Sequence, residues 1–214
     1  MKHISFKSTL IAFMLIVSVI ANGQDKKLPN IMVLATGGTI AGAGASATGS
    51  AYTSGQVKID AMIDAVPNIR NLANLKGEQV ANVGSQDMSV AVWLTLANRI
   101  NELLKSKDVD GIVITHGTDT QEETAMFLNL TVKSDKGPLN LYNAVAVAAN
   151  PKAKGYGVMV VMNDEIHSAH GVKKMMTTPV QTFQSPEEGM IGTVIFGEVE
   201  FFHKPFGLHT AATE

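Results

Sequence analysis

The apolar positions along this chain follow two alternating rhythms. Ile31 to Ala35 is an unbroken apolar run with β-branched residues, the pattern of a strand buried on both faces, and it breaks at Thr36-Gly37-Gly38-Thr39. Ile59, Met62, Ile63 and Val66 recur at helical spacing until Pro67 stops them. Gln79 to Val83 reads as a second core strand, ending in Gly84-Ser85-Gln86-Asp87. Trp93, Leu96, Ala97, Ile100 and Leu104 mark one face of a helix, and Gly111 to Thr115 reads as a third core strand. Thr120 and Glu123 have the spacing of a capping box that opens a helix through about Leu130.

Strands alternating with helices imply right-handed crossovers and an α/β fold: a mostly parallel, flavodoxin-like or Rossmann-like three-layer sheet. One junction breaks the alternation. The helix ending near Val132 is followed by Ser134 to Pro138 and then by a second helical stretch, Leu139 to Ala149, with no strand between. Alternation is expected to resume with a strand from Gly157 to Met162, ended by Asn163-Asp164. A polar, His-bearing segment, Lys173-Lys174 and Thr177-Thr178-Pro179 follow, and Thr193 to Phe202 alternates around Gly197 as a hairpin.

Composition narrows the classes. A chain of 214 residues, 45% hydrophobic, suits one domain with a substantial core. A net charge of −2 gives no electrostatic reason to propose nucleic acid as a partner. The absence of cysteine excludes disulfides and thiolate nucleophiles. Lys2, His3 and Lys7 precede an apolar run, Leu10 to Ala21, with small residues at Ala21-Asn22-Gly23. That is the pattern of a signal peptide over residues 1–23, and the run is short of the ~20 residues of a membrane span. A mature chain from Gln24, periplasmic or secreted and with no membrane contact after cleavage, is the expectation.

In an open α/β sheet, ligands bind past the carboxyl ends of the parallel strands, where Thr36-Gly37-Gly38-Thr39, Gly84 to Asp87 and Thr115 to Thr120 are all expected to lie. With no thiol, a nucleophile must be Ser, Thr, a carboxylate, Lys or metal-bound water. Thr39 and Thr118 stand in glycine-containing turns, whose free N–H groups can face a developing oxyanion. Asp119 could orient a lysine or bind a substrate amine, and Lys174 could act as a base. Each feature has a plainer reading. The double-glycine turn lacks the spacing of a dinucleotide or phosphate loop. Thr118 and Thr120 could simply be helix caps. His116 tempts one towards a triad, yet a His locked to backbone at a strand end suits it better. The segment from Ala43 to Gly55 is a surface loop by composition, or a lid carrying Tyr52. His167 and His170 have metal-like spacing, but no carboxylate or third ligand pairs with them, so no metal and no cofactor is expected.

Taken together, Thr36-Gly-Gly-Thr-Ile-Ala-Gly42, Gly84-Ser-Gln-Asp-Met88 and His116-Gly-Thr-Asp-Thr-Gln-Glu-Glu-Thr124 resemble the signature turns of the bacterial asparaginase/glutaminase family, the exported type II enzymes above all. The likeness runs from Leu28 to the tail hairpin. It implies hydrolysis of the side-chain amide of L-asparagine, with variable activity on L-glutamine. By resemblance, Thr39 is the nucleophile, Tyr52 its lid partner, and Thr118, Asp119 and Lys174 a second catalytic group. Lys174 rather than Lys173 fits the register from Met162 and to Thr177-Thr178. Ser85, Gln86 and Asp119 match the residues that hold the substrate's carboxylate and amine, and His116 becomes structural.

Two departures from the family pattern stand out. A strand and a Gly-Ala-Met-Arg-Pro-type turn are missing between Lys133-Ser-Asp-Lys136 and Gly137-Pro138, which removes a neighbour of the strand ending at Thr115. The chain also stops at Glu214, in what resembles an interdomain linker starting at 197, after a catalytic-type domain over 24–196. The family's C-terminal domain, absent here, helps build a homotetramer and completes the substrate site, so this chain is not expected to assemble in that way. Two alternatives to an amidohydrolase stay open: a non-catalytic periplasmic amino-acid binder that keeps Ser85, Gln86 and Asp119, and an inactive asparaginase fragment.

Overall fold

A computed structural model describes residues 27–37, 43–44, 52–53, 59–133, 141–177 and 181–213. The leader expected over 1–23 lies outside them. The first strand, β1 (Asn30–Gly37), is central in a parallel sheet between β4 (Asn74–Val83) and β5 (Gly111–Thr115), in the order β4-β1-β5. Two short strands, β2 (Ala43–Gly44) and β3 (Tyr52–Thr53), pair with each other, and α1 (Ile59–Asp64) buries Ile59, Met62 and Ile63. The unbroken apolar runs explain the layering. Val33, Leu34 and Ala35 of β1 and every residue of β5 are buried, as strands covered on both faces require. β4 was expected to be a core strand from Gln79. It is longer, at the edge of the sheet among the described residues, and most of its residues are only half-buried or exposed, since there only β1 pairs with it.

Helix α2 (Val90–Lys105) lays Leu96, Ala97 and Ile100 on the core and is capped by Ser89, whose Oγ accepts the Val92 N–H. Its Arg99 holds both oxygens of Glu78 on β4 at 2.8 Å. Helix α3 (Gln121–Thr131) packs beside α2, with Trp93 and Phe127 stacked 5.5 Å apart. Helix α4 (Leu141–Ala149), nearly all apolar on its inner side, covers β5.

The expected return to the parallel sheet does not occur. β6 (Met159–Met162) instead starts an antiparallel sheet, β11-β10-β7-β6, with β7 (Glu165–Ser168), β10 (Gly192–Ile195) and β11 (Glu198–Phe201). Among the described residues β5 has β1 as its only strand neighbour. Among the described residues no strand bridges β5 and β6, and the latter takes its partner from the next segment of chain. The turn Asn163-Asp164, both residues at positive φ, allows this, since Asn and Asp tolerate the left-handed region. The segment read as merely polar is thus β7. The tail hairpin forms as expected, around Phe196-Gly197. A last pair, β8 (Lys173–Lys174) with β9 (Phe183–Gln184), leads the chain back towards α3.

Candidate functional site

The carboxyl ends of β1, β4 and β5 carry the site. β1 ends at Gly37, with φ near 102° against Val83, where a Cβ would lie 2.5 Å from the Val83 carbonyl oxygen, so only glycine fits. Thr36 Oγ1 donates to the Thr115 carbonyl at 2.9 Å, tying the ends of β1 and β5 together. The turn after β4, a single 3-10 turn Ser85–Asp87, is fastened to the turn after β5 through one residue. Ser85 Oγ lies 3.3 Å from both the Asp119 N–H, which donates to it, and Asp119 Oδ2, to which it donates. The Ser85 carbonyl accepts from Thr120 Oγ1 at 2.6 Å. The expected capping box is therefore not made: Thr120 is the N-cap of α3, but its hydroxyl reaches across to Ser85 instead of back to its own helix.

Lys174 closes the group from the antiparallel side. Its Nζ donates to Asp119 Oδ1 at 2.7 Å and to Thr118 Oγ1 at 3.1 Å. Its side chain is largely buried, with 16% exposed, while that of Asp119 remains 54% exposed. The bond from Lys174 holds the Asp119 carboxyl below its usual range, its partial burial opposing this and the Ser85 bond assisting. Gln86 sits on the same turn as Ser85 but bonds the adjacent Asp87 Oδ2 at 3.2 Å, its amide lying over Gly84, where an added Cβ would make that side chain move. Of the expected residues, Ser85, Thr118, Asp119 and Lys174 form one hydrogen-bonded group, and Gln86 lies at its edge. Thr39 lies outside the described residues, and of Tyr52 only its place in β3 is described.

His116 is locked to its surroundings. It is buried, and its Nδ1 lies 2.6 Å from the Gly117 carbonyl, which can only accept, so Nδ1 carries the proton. Nε2 then accepts from Thr124 Oγ1 at 2.9 Å, and Thr124 accepts from Trp93 Nε1 at 2.7 Å. Burial pushes the His116 pKa down, against the Gly117 bond and the Glu123 charge. Trp93, read as plain core, is thus also the first donor of a chain that ends on the turn after β5. His167 and His170 do have carboxylate neighbours, contrary to the sequence reading. His167 Nε2 lies 3.2 Å from Glu165 Oε2, and His170 Nδ1 lies 2.7 Å from Glu188 Oε1. Glu188 is 18 residues from His170, a separation that hid it from local spacing.

The fold and these contacts make a candidate small-molecule site at the carboxyl ends of a parallel sheet, where a hydroxyl, an amine and a carboxylate share hydrogen bonds. Comparison with known proteins gives the family. The profile described as "Asparaginase, N-terminal" matches residues 30–139 and 133–207, and the chain belongs to the asparaginase family. It is 52% identical to a probable periplasmic L-asparaginase of Haemophilus influenzae, over 91% of this chain and 59% of that protein. L-asparaginase 2 of Escherichia coli is 48% identical, over 90% of this chain and 60% of that protein. A glutaminase-asparaginase of Pseudomonas fluorescens is 45% identical, over 98% and 64%. The crystal structure of a probable cytoplasmic L-asparaginase from Campylobacter jejuni superposes with a TM-score of 0.83 at 45% identity, over 86% of this chain and 61% of that one. The chain spans about three fifths of the length of these relatives. The two profile stretches meet at 133–139, where the sequence places a missing strand.

Proposed function

We propose that this chain is the asparagine-binding part of an exported amidohydrolase that converts L-asparagine, and to a variable degree L-glutamine, to the acidic amino acid and ammonia. The observation that carries the reading is the hydrogen-bonded group Ser85–Asp119–Lys174–Thr118 at the sheet's carboxyl end. Asp119 and Gln86 would receive the substrate's amine, and Ser85 its carboxylate. Thr39, assisted by Tyr52, would attack the side-chain amide carbon. The Thr39 hydroxyl proton would pass through Tyr52 to the amide nitrogen, so that collapse of the tetrahedral intermediate breaks the C–N bond and releases ammonia, and water then cleaves the resulting ester. Thr118, held in place by Lys174 beside Asp119, would relay a proton of that water to the departing Thr39 oxygen.

The domain reading goes with it: a leader over 1–23, a catalytic-type domain over 24–196 and a linker from 197. Export is supported by the leader's pattern and by the printed name of the Haemophilus relative, whereas the Campylobacter protein is named as cytoplasmic.

The test is ammonia release from L-asparagine by the purified chain, beside Thr118→Ala and Lys174→Met. The expected result is turnover that falls by about 10²- to 10⁴-fold in either variant, the range for a positioned acid–base group. Turnover that survives Thr118→Ala overturns the second group, and asparagine binding without any turnover favours the amino-acid binder.

A further inference from the structure

Lys174 is held at both ends by one short stretch of chain. Its Nζ is bound by Thr118 and Asp119, and its backbone N–H is bound by Glu122 Oε2, three residues beyond Asp119 in the first turn of α3. β8 is only two residues long, and Met175 and Met176 beyond it are exposed. In the β8–β9 pair the Met175 N–H bonds Thr182, so by strand alternation the Lys174 N–H points away from β9. Glu122 gives it a partner there. A lysine side chain has four rotatable bonds, and fixing one end leaves the other free to wander. Fixing both closes a ring from Thr118 through α3 to Lys174 and back.

We propose that Glu122 is a positioning residue for Lys174: it touches no substrate, but sets the depth at which the amine meets Thr118 Oγ1. This rests on the amidohydrolase reading, and it deepens that reading by adding a residue that local sequence did not mark. Its side chain is half-buried, and as an acid in the first turn of α3 it also favours the helix N-terminus. The two roles are separable. Glu122→Gln keeps an acceptor oxygen at the same reach without the charge. Glu122→Asp keeps the charge at the helix start but falls one methylene short of Lys174.

The experiment compares wild type, Glu122→Gln, Glu122→Asp, Glu122→Ala and Lys174→Met for ammonia release from L-asparagine, with kcat and KM separated. A displacement of about 1 Å in a reacting group can cost about 100-fold. Glu122→Asp and Glu122→Ala are therefore expected to lose about ten- to a hundredfold in kcat with KM within threefold, and Glu122→Gln to stay within about threefold of wild type. If Glu122→Ala fails to fold, Glu122→Asp carries the comparison. Glu122→Asp at wild-type kcat, alongside an inactive Lys174→Met, overturns the positioning role and leaves the amidohydrolase reading intact. Should Lys174→Met keep wild-type turnover, or wild type show none, that reading falls instead. The clamp is then judged by amide exchange at Lys174: about tenfold faster exchange in Glu122→Asp supports it, and unchanged exchange overturns it.

Discussion

The two halves of this molecule reach the site by different means. The parallel half supplies Ser85, Thr118 and Asp119 on turns already bonded to one another and, through His116, Thr124 and Trp93, to the helices behind them. The antiparallel half supplies Lys174 alone, 55 residues away in sequence from Asp119, on a strand two residues long. The first half is bonded within itself; the lysine of the second is held in place by what it meets. Acid–base chemistry across such a seam depends on the weaker side, so the lysine and its clamp are where the site should be easiest to break.

The largest expected effect is accordingly Lys174→Met, which keeps the apolar stem and removes the amine. Turnover should fall by about 10²- to 10⁴-fold while the melting transition stays cooperative. The parallel half should prove harder to disturb. Trp93→Phe keeps the stack on Phe127 but removes the N–H that Thr124 accepts. It should cost about 1 kcal/mol of stability by urea unfolding and change kcat by less than about threefold. A tenfold loss of kcat would show that the turn is no more self-supporting than the lysine strand.

The same contrast decides what could be read from residues alone. Thr118 and Asp119 stand in a short polar turn directly after an apolar run, and Ser85 in a glycine-led polar turn, so strand ends, and with them this part of the site, are visible locally. The α/β class and the parallel core follow from the same runs. What could not be read is what long-range contact decides. β6 has the apolar run of a parallel core strand, yet it pairs with β7, and among the described residues no strand lies between it and β5. Thr120 has a capping-box partner at the right spacing, but the Ser85 carbonyl competes successfully for its hydroxyl. Glu122 looks like an ordinary acid at a helix start until Lys174 is placed above it.

Protonation probes the parallel half more gently. Burial lowers the His116 pKa from its ordinary 6.5, so the unfolded chain takes up this proton first as pH falls. The stability this residue contributes is then full above about 6.5 and is lost progressively below it. His167 is also lowered by burial and acts in the same sense, with the Glu165 charge opposing. Urea midpoints should therefore drop between pH 7.5 and 5.5, and His116→Gln should narrow the drop without abolishing it. An unchanged slope in His116→Gln would mean that the ring is not held neutral by the turn.

The smallest effect concerns the far end of the antiparallel half. Phe196 sits at φ near 51° in the two-residue turn between β10 and β11, with 93% of its surface exposed, followed by Gly197 at φ near 83°. A non-glycine residue in the left-handed region costs roughly 1–2 kcal/mol, and Asn recovers much of that, which is why Asn-Gly suits this kind of turn. Nothing among the described contacts gives the Phe196 ring a compensating burial. Phe196→Asn should thus raise the melting temperature by about 2–4 °C for about 1 kcal/mol gained, with kcat unchanged. β10 pairs with β7, and β7 leads within five residues to Lys173 at the start of β8, so the hairpin has a covalent and hydrogen-bonded route to the lysine. A change in kcat with Phe196→Asn would show that strain at the hairpin is transmitted along that route, and that the antiparallel half is a lever on Lys174 rather than a passive support.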